Sequence, residues 1–306
     1  MEEVIKEALG TQTLTRLGVG GSGCINKGEG YQTDQGKVFI KENSAKGARQ
    51  MFDGEFESLK ALHSTQTVKV PQPVKVIDKP GGGALLVAEF MDMGHGLSKF
   101  SALLGKQLAR LHLHNSEVGE LQKKQESSVH VSHQVEHIDK FGFHVPTCCG
   151  YIPQENTWNE DWIKFYAQKI EYQVKKVEED HGDREVRELW SLALIKVPSL
   201  FKNVEVKPAL LHGDLWGGNA AETTTEPVIF DPASFYGHSE YDLAIARMFG
   251  GFSESFYSGY FNILPMAPGY RKRLSLYKFF HYINHWNHFG DGYRSSAIQT
   301  LQSVLH

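Results

Sequence analysis

The segment LLHGDLWGGN (residues 210–219), followed by PVIFDPA (residues 227–233), decides the fold class of this chain. His212, Asp214 and Asn219 have the spacing H-x-D-x-x-x-x-N, and Asp231 follows at the end of an apolar run. A catalytic loop of this spacing and then a metal-binding aspartate is the order that kinase-like phosphotransferases use. Few structural reasons place His-Gly-Asp between two apolar runs, so the spacing predicts phosphoryl transfer.

The chemistry of these side chains agrees with that prediction. Asp214 is suited to accept the proton of an attacking hydroxyl. Asn219 and Asp231 offer the hard oxygen ligands that Mg²⁺ prefers when it bridges ATP phosphates. The alternative, three unrelated polar residues in loops, is much less favoured.

The first ninety residues contain the other parts that this chemistry requires. Lys41 ends the third predicted strand, VFIK, and Glu55 on the helix predicted over residues 46–63 is its expected partner; Glu57 is the weaker candidate. The hinge that contacts adenine should follow the strand over residues 84–88, which assigns it to Glu89, Phe90 and Met91.

The glycine-rich segment GVGGSG (residues 18–23) is open to several interpretations. It matches the dinucleotide fingerprint, but a Rossmann loop must open into a helix and this one lies between two predicted strands. A flap over nucleotide phosphates, made by Gly20, Gly21, Ser22 and Gly23, fits the kinase-like pattern. An ordinary hairpin turn remains equally open.

The pattern of apolar residues divides the chain into two parts. Short strands and two helices, predicted over residues 1–10 and 46–63, fill the first ninety residues, and helical periodicity dominates from residue 97 onward. Residues 115–140 are polar, so we expect a flexible insertion there. The resulting prediction is an α+β, two-lobed protein-kinase-like fold, with a β-rich ATP-binding lobe over residues 1–91 and an α-rich catalytic and acceptor-binding lobe over residues 92–306.

Departures from protein kinases indicate a different acceptor. Trp216 stands where kinases acting on Ser or Thr carry a lysine, and DPA (residues 231–233) replaces the DFG motif. No APE segment closes an activation loop. These differences favour a small molecule or a modified side chain as the phosphoryl acceptor.

Composition excludes several other classes of protein. The 306 residues include 32 basic and 36 acidic side chains, a net charge of −4, so nothing points to a nucleic-acid or membrane partner. No apolar stretch approaches the length of a membrane span. Three cysteines do not make a disulfide framework, which favours a reducing cytoplasmic location.

Eight segments carry a resemblance to a known family: residues 20–25, 31–34, 38–41, 141–143, 147–154, 211–219, 230–240 and 284–290. On these segments the sequence resembles the fructosamine kinase / ketosamine-3-kinase family along nearly all of its length. The Gly217-Gly218 pair is similar to the ketosamine-3-kinase-related (protein-ribulosamine 3-kinase) branch.

This resemblance implies an aminoglycoside-phosphotransferase-like fold and ATP- and Mg²⁺-dependent phosphorylation of a ketosamine. The acceptor would be the sugar 3-hydroxyl of a ribulosamine, psicosamine or fructosamine on a glycated lysine, leading to protein deglycation. Carried over by residue, the resemblance implies that Asp214 is the proton acceptor, that Lys41 binds phosphate with Glu55 as its helix partner, and that Asn219 and Asp231 are the metal ligands.

Cysteines and histidines add weaker candidates. Cys24 is either a buried small residue or an exposed thiol; the resemblance implies a redox switch, with a monomer that becomes a disulfide-linked dimer on oxidation. His281, His285 and His288 share one predicted helix face. A transition-metal site there is less favoured than an acceptor pocket made by His285, Trp286 and His288, with Trp216 stacking on the sugar; plain surface or core placement stays open.

Three rival functions remain at this point. A kinase of the aminoglycoside, choline or thiamine type would use the same loops. A nucleotide-binding pseudoenzyme scaffold would bind ATP without turnover, although the intact Lys41, Asp214, Asn219 and Asp231 argue against it. A dehydrogenase would require NAD at residues 18–23.

Overall fold

The computed structural model describes residues 1–22, 26–94, 96–125 and 136–306. Its strands are β1 (Thr15–Ser22), β2 (Lys27–Thr33), β3 (Gly36–Asn43), β4 (Pro73–Asp78), β5 (Ala84–Glu89), β6 (Cys148–Cys149), β7 (Ile152–Pro153), β8 (Ala209–Leu210), β9 (Ala220–Glu222), β10 (Pro227–Ile229) and β11 (Tyr236–Gly237). Its α-helices are α1 (Glu2–Leu9), α2 (Ala48–Ser64), α3 (Ser101–Gln125), α4 (Trp162–His181), α5 (Glu185–Leu200), α6 (Glu240–Ala246), α7 (Glu254–Phe261), α8 (Tyr270–Phe289) and α9 (Arg294–Leu305).

The first five strands form one antiparallel sheet in the order β1-β2-β3-β5-β4. Side chains of successive strand residues point to opposite faces, so the apolar strand β5 is covered on both sides. Leu85 and Val87 pack with Ile5 of α1 on one face, whereas Leu86 packs with Phe52 of α2 on the other. The helices predicted in this part and the strands predicted before Lys41 and over residues 84–88 are therefore confirmed.

The helices from α3 onward enclose a larger core together with the short strands β8 to β11. Trp190, Phe280 and Leu301 are among its fully buried side chains, and they come from α5, α8 and α9. None of the helices in the described ranges combines the length and apolar character that a membrane span requires.

Hydrogen bonds join the sheet and the connecting segment to the helical part. The carboxylate of Glu222 on β9 accepts from the main-chain N–H groups of Ser98, Lys99 and Phe100, just before α3 begins. These bonds, of which the one from Phe100 is the strongest, lower the pKa of Glu222 to about 2. Ser58 on α2 accepts from the N–H of Ser234 at 3.0 Å. The α2 helix is thereby fixed against the chain that follows Asp231.

One expectation about the helical part was wrong, and two of its helices were missed. Residues 115–125 continue α3 instead of forming an insertion, because the buried Asn115 side chain donates to the carbonyls of Ile138 and Pro208 and accepts from Ile138 N. The rest of the expected insertion lies mostly outside the described residues. Helices α7 and α9 were not predicted, although Ala297, Ile298, Leu301 and Val304 of α9 have helical spacing.

The buried ion pair between Arg273 and Glu240 stabilises the helical part and can be tested by mutation. Arg273 is fully buried and donates to both carboxylate oxygens of Glu240, at 2.8 and 2.7 Å, and to two main-chain carbonyls. Arg273→Met leaves Glu240 buried and unpaired, so we expect the free energy of unfolding in urea to fall by about 3–5 kcal/mol.

The matched control is Arg294→Met, which removes a partly exposed pair with Asp183 and Glu185. Such surface pairs are worth about 1 kcal/mol or less. Equal losses in the two variants would contradict this ranking.

Candidate active site

The loop between β8 and β9 carries Asp214. The residue before it, Gly213, has a backbone conformation and a close main-chain contact that require glycine. Gly213 has φ +84°, in the left-handed region, and a Cβ there would lie 2.1 Å from the carbonyl oxygen of Ala233. Two segments of main chain therefore approach closely, and Ala233 N donates to His212 O at 2.8 Å. The contact fixes the segment around Asp214 against the segment that follows Asp231.

The buried carboxylate of Asp242 on α6 fixes this loop through hydrogen bonds to its main chain. It accepts from the main-chain N–H groups of His212 and Gly213, both at 2.8 Å, and lies 3.1 Å from His112 Nε2. Sequence reasoning missed Asp242 and His112. A usable signal existed, since an aspartate inside the apolar run YDLAIA is a buried charge that requires partners.

The carboxylate of Asp214 is half-buried and has one donor at each oxygen. Asn219 Nδ2 donates to Asp214 Oδ2 at 3.2 Å and to the carbonyl of Asp214 at 2.9 Å. Cys149 Sγ donates to Oδ1 at 3.5 Å. Burial raises the pKa of Asp214 to about 7, the charge of Asp231 adds to this effect, and the two hydrogen bonds oppose it. A carboxyl group in this condition is well matched to proton transfer near neutral pH.

Lys41 joins the sheet to the segment after β10. Its ammonium donates to Glu55 Oε1 on α2 and, at 2.6 Å, to Asp231 Oδ1. Burial alone would lower the pKa of Lys41, but the carboxylates of Asp231 and Glu55 outweigh burial and raise it, so the ammonium stays charged. Glu55 is the more buried acid, and burial raises the pKa of its carboxyl, an effect that the Lys41 ammonium opposes.

Asn219 and Asp231 lie on neighbouring segments, since Phe230 N donates to Asn219 O at 3.1 Å. In the described part of the chain no donor contacts Asn219 Oδ1 or the second oxygen of Asp231, and 43% of the Asp231 side chain is exposed. Across the same residues no three His, Cys, Asp or Glu side chains cluster as a metal site. One carboxylate and one amide oxygen suit Mg²⁺, which also takes water and phosphate ligands.

The predicted nucleotide-binding segments are only partly described. Gly20, Gly21 and Ser22 end β1 and pair with β2, whereas Gly23 and Cys24 lie outside the described residues. The strands β1 and β2 flank this segment as expected, and the first helix after it in the described ranges begins at Ala48.

The predicted hinge follows directly from β5. The side chain of Glu89 is bound by Lys69 Nζ at 3.3 Å, and Glu89 also exchanges hydrogen bonds with the main chain of Gln72. The ring of Phe90 packs on Gly30, and Met91 is half-buried. Glu89 therefore has both its carboxylate and its main-chain N–H engaged within the fold.

The histidine face of α8 runs from the surface into the core. His281 is fully buried, and neither ring nitrogen has a hydrogen-bond partner among the described residues. His288 accepts from Tyr151 N at 3.0 Å and bonds the carbonyl of Asn284 through Nδ1. Trp286 is fully buried and donates to Asp291, so it does not line an open pocket as expected. The physical reason is that adjacent helix residues point about 100° apart.

Exposed aromatic rings lie beside the catalytic loop. Trp216 contacts the ring of Phe249, with centroids 6.2 Å apart, and Phe249 contacts His285 at 4.9 Å. The glycines after Phe249 pack against Gly217, which brings the two loops together. Phe249 was not predicted, because nothing in its local sequence links it to residue 216. We call Trp216, Phe249 and His285 the aromatic face.

A sheet that carries Lys41 and a helical part that carries Asp214 define a protein-kinase-like phosphotransferase. The chain is similar in structure to an ADP-bound aminoglycoside phosphotransferase, with a TM-score of 0.60 and 12% identity over 100% of this chain and 98% of that one. It is also similar to a candidate fructosamine-3-kinase from Thermobifida fusca, with a TM-score of 0.78 and 23% identity over 98% of this chain and 96% of that one. The predicted fold class is confirmed.

Sequence comparison identifies the family. The family model described as fructosamine kinase matches residues 1–306. The chain is 53% identical to the ketosamine-3-kinase of Mus musculus over 99% of both proteins. It is 41% identical to the chloroplastic protein-ribulosamine 3-kinase of Arabidopsis thaliana, over 99% of this chain and 86% of that protein. The chain belongs to the fructosamine kinase family.

Because His281 is buried, we expect the stability of the protein to decrease in acid. Burial lowers the pKa of His281 to about 3, with a smaller contribution from His285. Between about pH 6.5 and pH 3 the His281 ring is protonated in the unfolded chain but neutral in the folded chain. The free energy of unfolding therefore has its full value above pH 6.5 and decreases as the pH falls below it. Between pH 7.5 and 5.5 the unfolding free energy of the wild type should fall by about 1.4 kcal/mol more than that of His281→Leu.

Urea unfolding at both pH values measures this difference. His306→Leu is the control, because His306 is exposed and solvent hydrates its ring in both states. A pH dependence that His281→Leu leaves unchanged would argue against the prediction.

Proposed function

We propose that this chain is an ATP-dependent kinase that phosphorylates the sugar 3-hydroxyl of ketosamines on glycated lysines. The observation that carries the proposal is the cluster of Asp214, Asn219, Asp231 and Lys41 in a chain of the fructosamine kinase family. Ribulosamine and psicosamine are the proposed acceptors, and fructosamine is a further candidate acceptor. Phosphorylation of these sugars would lead to protein deglycation.

Asp214 acts as the proton acceptor in this proposal. The acceptor hydroxyl gives its proton to the carboxylate while its oxygen forms the bond to the γ-phosphorus, and the bond from that phosphorus to the ADP oxygen breaks. Positioning and charge neutralisation supply most of the rate in such reactions. The two donors on Asp214 support the role, because they hold the carboxylate without removing its basic oxygens.

Lys41 and the proposed metal ligands neutralise phosphate charge. The Lys41 ammonium, held between Glu55 and Asp231, is placed to bind ATP phosphates. Asn219 and Asp231 would hold Mg²⁺, which when bound supplies charge neutralisation at the phosphates. Their oxygen donors support this choice of metal over Zn²⁺.

The nucleotide lies, in this proposal, between the two lobes. Residues 1–91 form the ATP-binding lobe and residues 92–306 the catalytic and acceptor-binding lobe. Gly20, Gly21, Ser22 and Gly23 cover the phosphates, and the main chain of Glu89, Phe90 and Met91 contacts adenine.

The aromatic face is the proposed acceptor site. Trp216 follows the base by two residues and is 40% exposed, so one of its faces can stack on a sugar ring. Phe249 and His285 extend this surface, and His288, whose two ring nitrogens are bound to main-chain groups, packs beside it on the ring of Tyr151. A glycated lysine on a protein or a free ketosamine presents the same sugar to this surface.

Location and assembly are proposed from the cysteines. Free thiols at Cys148 and Cys149 support a reducing, cytoplasmic compartment. A monomer that dimerises through oxidised Cys24 remains a prediction. Other small-molecule kinase substrates and a pseudoenzyme role are not favoured for a member of this family.

The proposed base gives the decisive test. Asp214→Asn cannot accept the proton, so kcat should fall about 10²- to 10⁴-fold while ATP affinity is kept. Mg²⁺-dependent ATP consumption with ribulose-lysine, psicose-lysine and fructose-lysine measures the effect. Unreduced turnover in this variant would remove Asp214 from its role, and a wild-type protein that phosphorylates none of the three would overturn the function.

The proposed acceptor surface predicts a selective effect on substrate binding. Trp216→Ala should raise the KM for ribulose-lysine roughly 10-fold, equivalent to about 1.4 kcal/mol, and leave the KM for ATP unchanged. Trp158→Ala is the matched control, since Trp158 is 38% exposed and contacts Tyr236 away from the aromatic face. A change in the KM for ATP, or an equal effect at Trp158, would contradict the assignment.

A further inference from the structure

Cys149 lies directly behind the proposed base. It belongs to β6, which pairs with β7 through Ile152, and its side chain is buried between the catalytic loop and α8. Its Sγ is 3.5 Å from Asp214 Oδ1 and 3.4 Å from Asn284 Nδ2. The thiol therefore bridges a core helix and the carboxylate that the mechanism uses.

The contact between Cys149 and Asn284 belongs to a chain of buried hydrogen bonds that leads from α8 to Asp214. Asn287 Nδ2 lies 2.6 Å from Gln173 Oε1, and Gln173 Nε2 lies 3.1 Å from Asn284 Oδ1. Asn284 Nδ2 then reaches Cys149, and Cys149 reaches Asp214. We call these five residues the buried chain; its first four members are at most 8% exposed.

Main-chain carbonyls fix the direction of the buried chain. Asn287 Nδ2 also bonds the carbonyl of Gln173 at 3.0 Å, and Asn284 Nδ2 also bonds the carbonyl of Cys149 at 3.1 Å. A carbonyl oxygen only accepts, so both atoms are amide nitrogens. Asn284 consequently donates toward the sulfur, and the S–H hydrogen remains available for Asp214 Oδ1.

The thiol is suited to orient a base without neutralising it. Burial raises the pKa of Cys149, and Asp214 adds to that effect, so the S–H group persists as a weak neutral donor. The buried ammonium of Lys169 donates to Gln154 Oε1 and Asn156 Oδ1 instead of to the sulfur. Together with Asn219 on Oδ2, the thiol gives each carboxylate oxygen one donor and leaves the carboxylate to receive the proton.

We propose that Cys149 is a positioning residue for the phosphoryl-transfer reaction: its S–H group, directed by Asn284 through the buried chain, fixes the rotation of the Asp214 carboxylate toward the acceptor hydroxyl. The inference rests on the proposed function, because it assigns Cys149 a role through the base. It predicts an effect on the chemical step that depends on a donor at position 149.

The test compares Cys149→Ala, which removes the donor, with Cys149→Ser, which restores a hydroxyl donor, using ribulose-lysine as the acceptor under reducing conditions. For Cys149→Ala we expect kcat to fall roughly 3- to 10-fold, the equivalent of one neutral hydrogen bond, with both KM values unchanged. For Cys149→Ser we expect kcat to recover at least half of that loss.

Cys148→Ala is the matched control. Cys148 is the adjacent residue, and it packs on the apolar cluster beside α2 instead of on Asp214. We expect its kcat to equal that of the wild type. The melting temperature of each variant separates a loss of positioning from a loss of folded protein.

The outcomes distinguish the inference from the function on which it rests. A wild type that phosphorylates no ketose-lysine overturns both. An active wild type overturns the inference alone if Cys149→Ala keeps its kcat, if the loss appears in KM, if Cys149→Ser is as slow as Cys149→Ala, or if Cys148→Ala loses as much.

Discussion

The ammonium of Lys41 between Glu55 and Asp231 is the interaction on which the site depends. Two of the three groups belong to the β-rich part and the third to the segment after β10, so the pair of bonds joins the parts of the molecule that must meet around a triphosphate. One ammonium between two carboxylates leaves a negative charge in excess. An environment of this kind is suited to receive a divalent cation and an anionic substrate together.

Polar groups behind the site keep its loops in place. Asp242 fixes the main chain next to Asp214, the proposed base, and Asn219 and Cys149 each contact one oxygen of the Asp214 carboxylate. Nearly all of these partners are buried, and buried polar groups with defined partners allow few alternative arrangements. The geometry of the proposed site is therefore supported by the core of the helical part, whereas Trp216 and Phe249 of the aromatic face are exposed.

The elements that the sequence predicted well share a physical property: their signal is local. The periodicity of α2 and the continuous apolar run of β5 needed no distant contact to be recognised, and the spacing from Asp214 to Asn219 is short enough for one loop. The end of α3 was misjudged because its polar surface resembles a loop, and the stabilising bonds of Asn115 come from Ile138 and Pro208. The burial of Trp286 likewise depends on neighbours distant in sequence.

The sequence by itself determined the α+β class and the family, and it supplied Asp214, Lys41, Asn219 and Asp231 as the proposed base, lysine and metal ligands, because each is encoded by residue type and spacing within a short segment. Only the tertiary structure decided that Asp242 holds the catalytic loop, that Phe249 joins Trp216, and that Cys149 contacts Asp214. These contacts join segments that are separate in the sequence, and no local pattern specifies which side chains meet when the core packs.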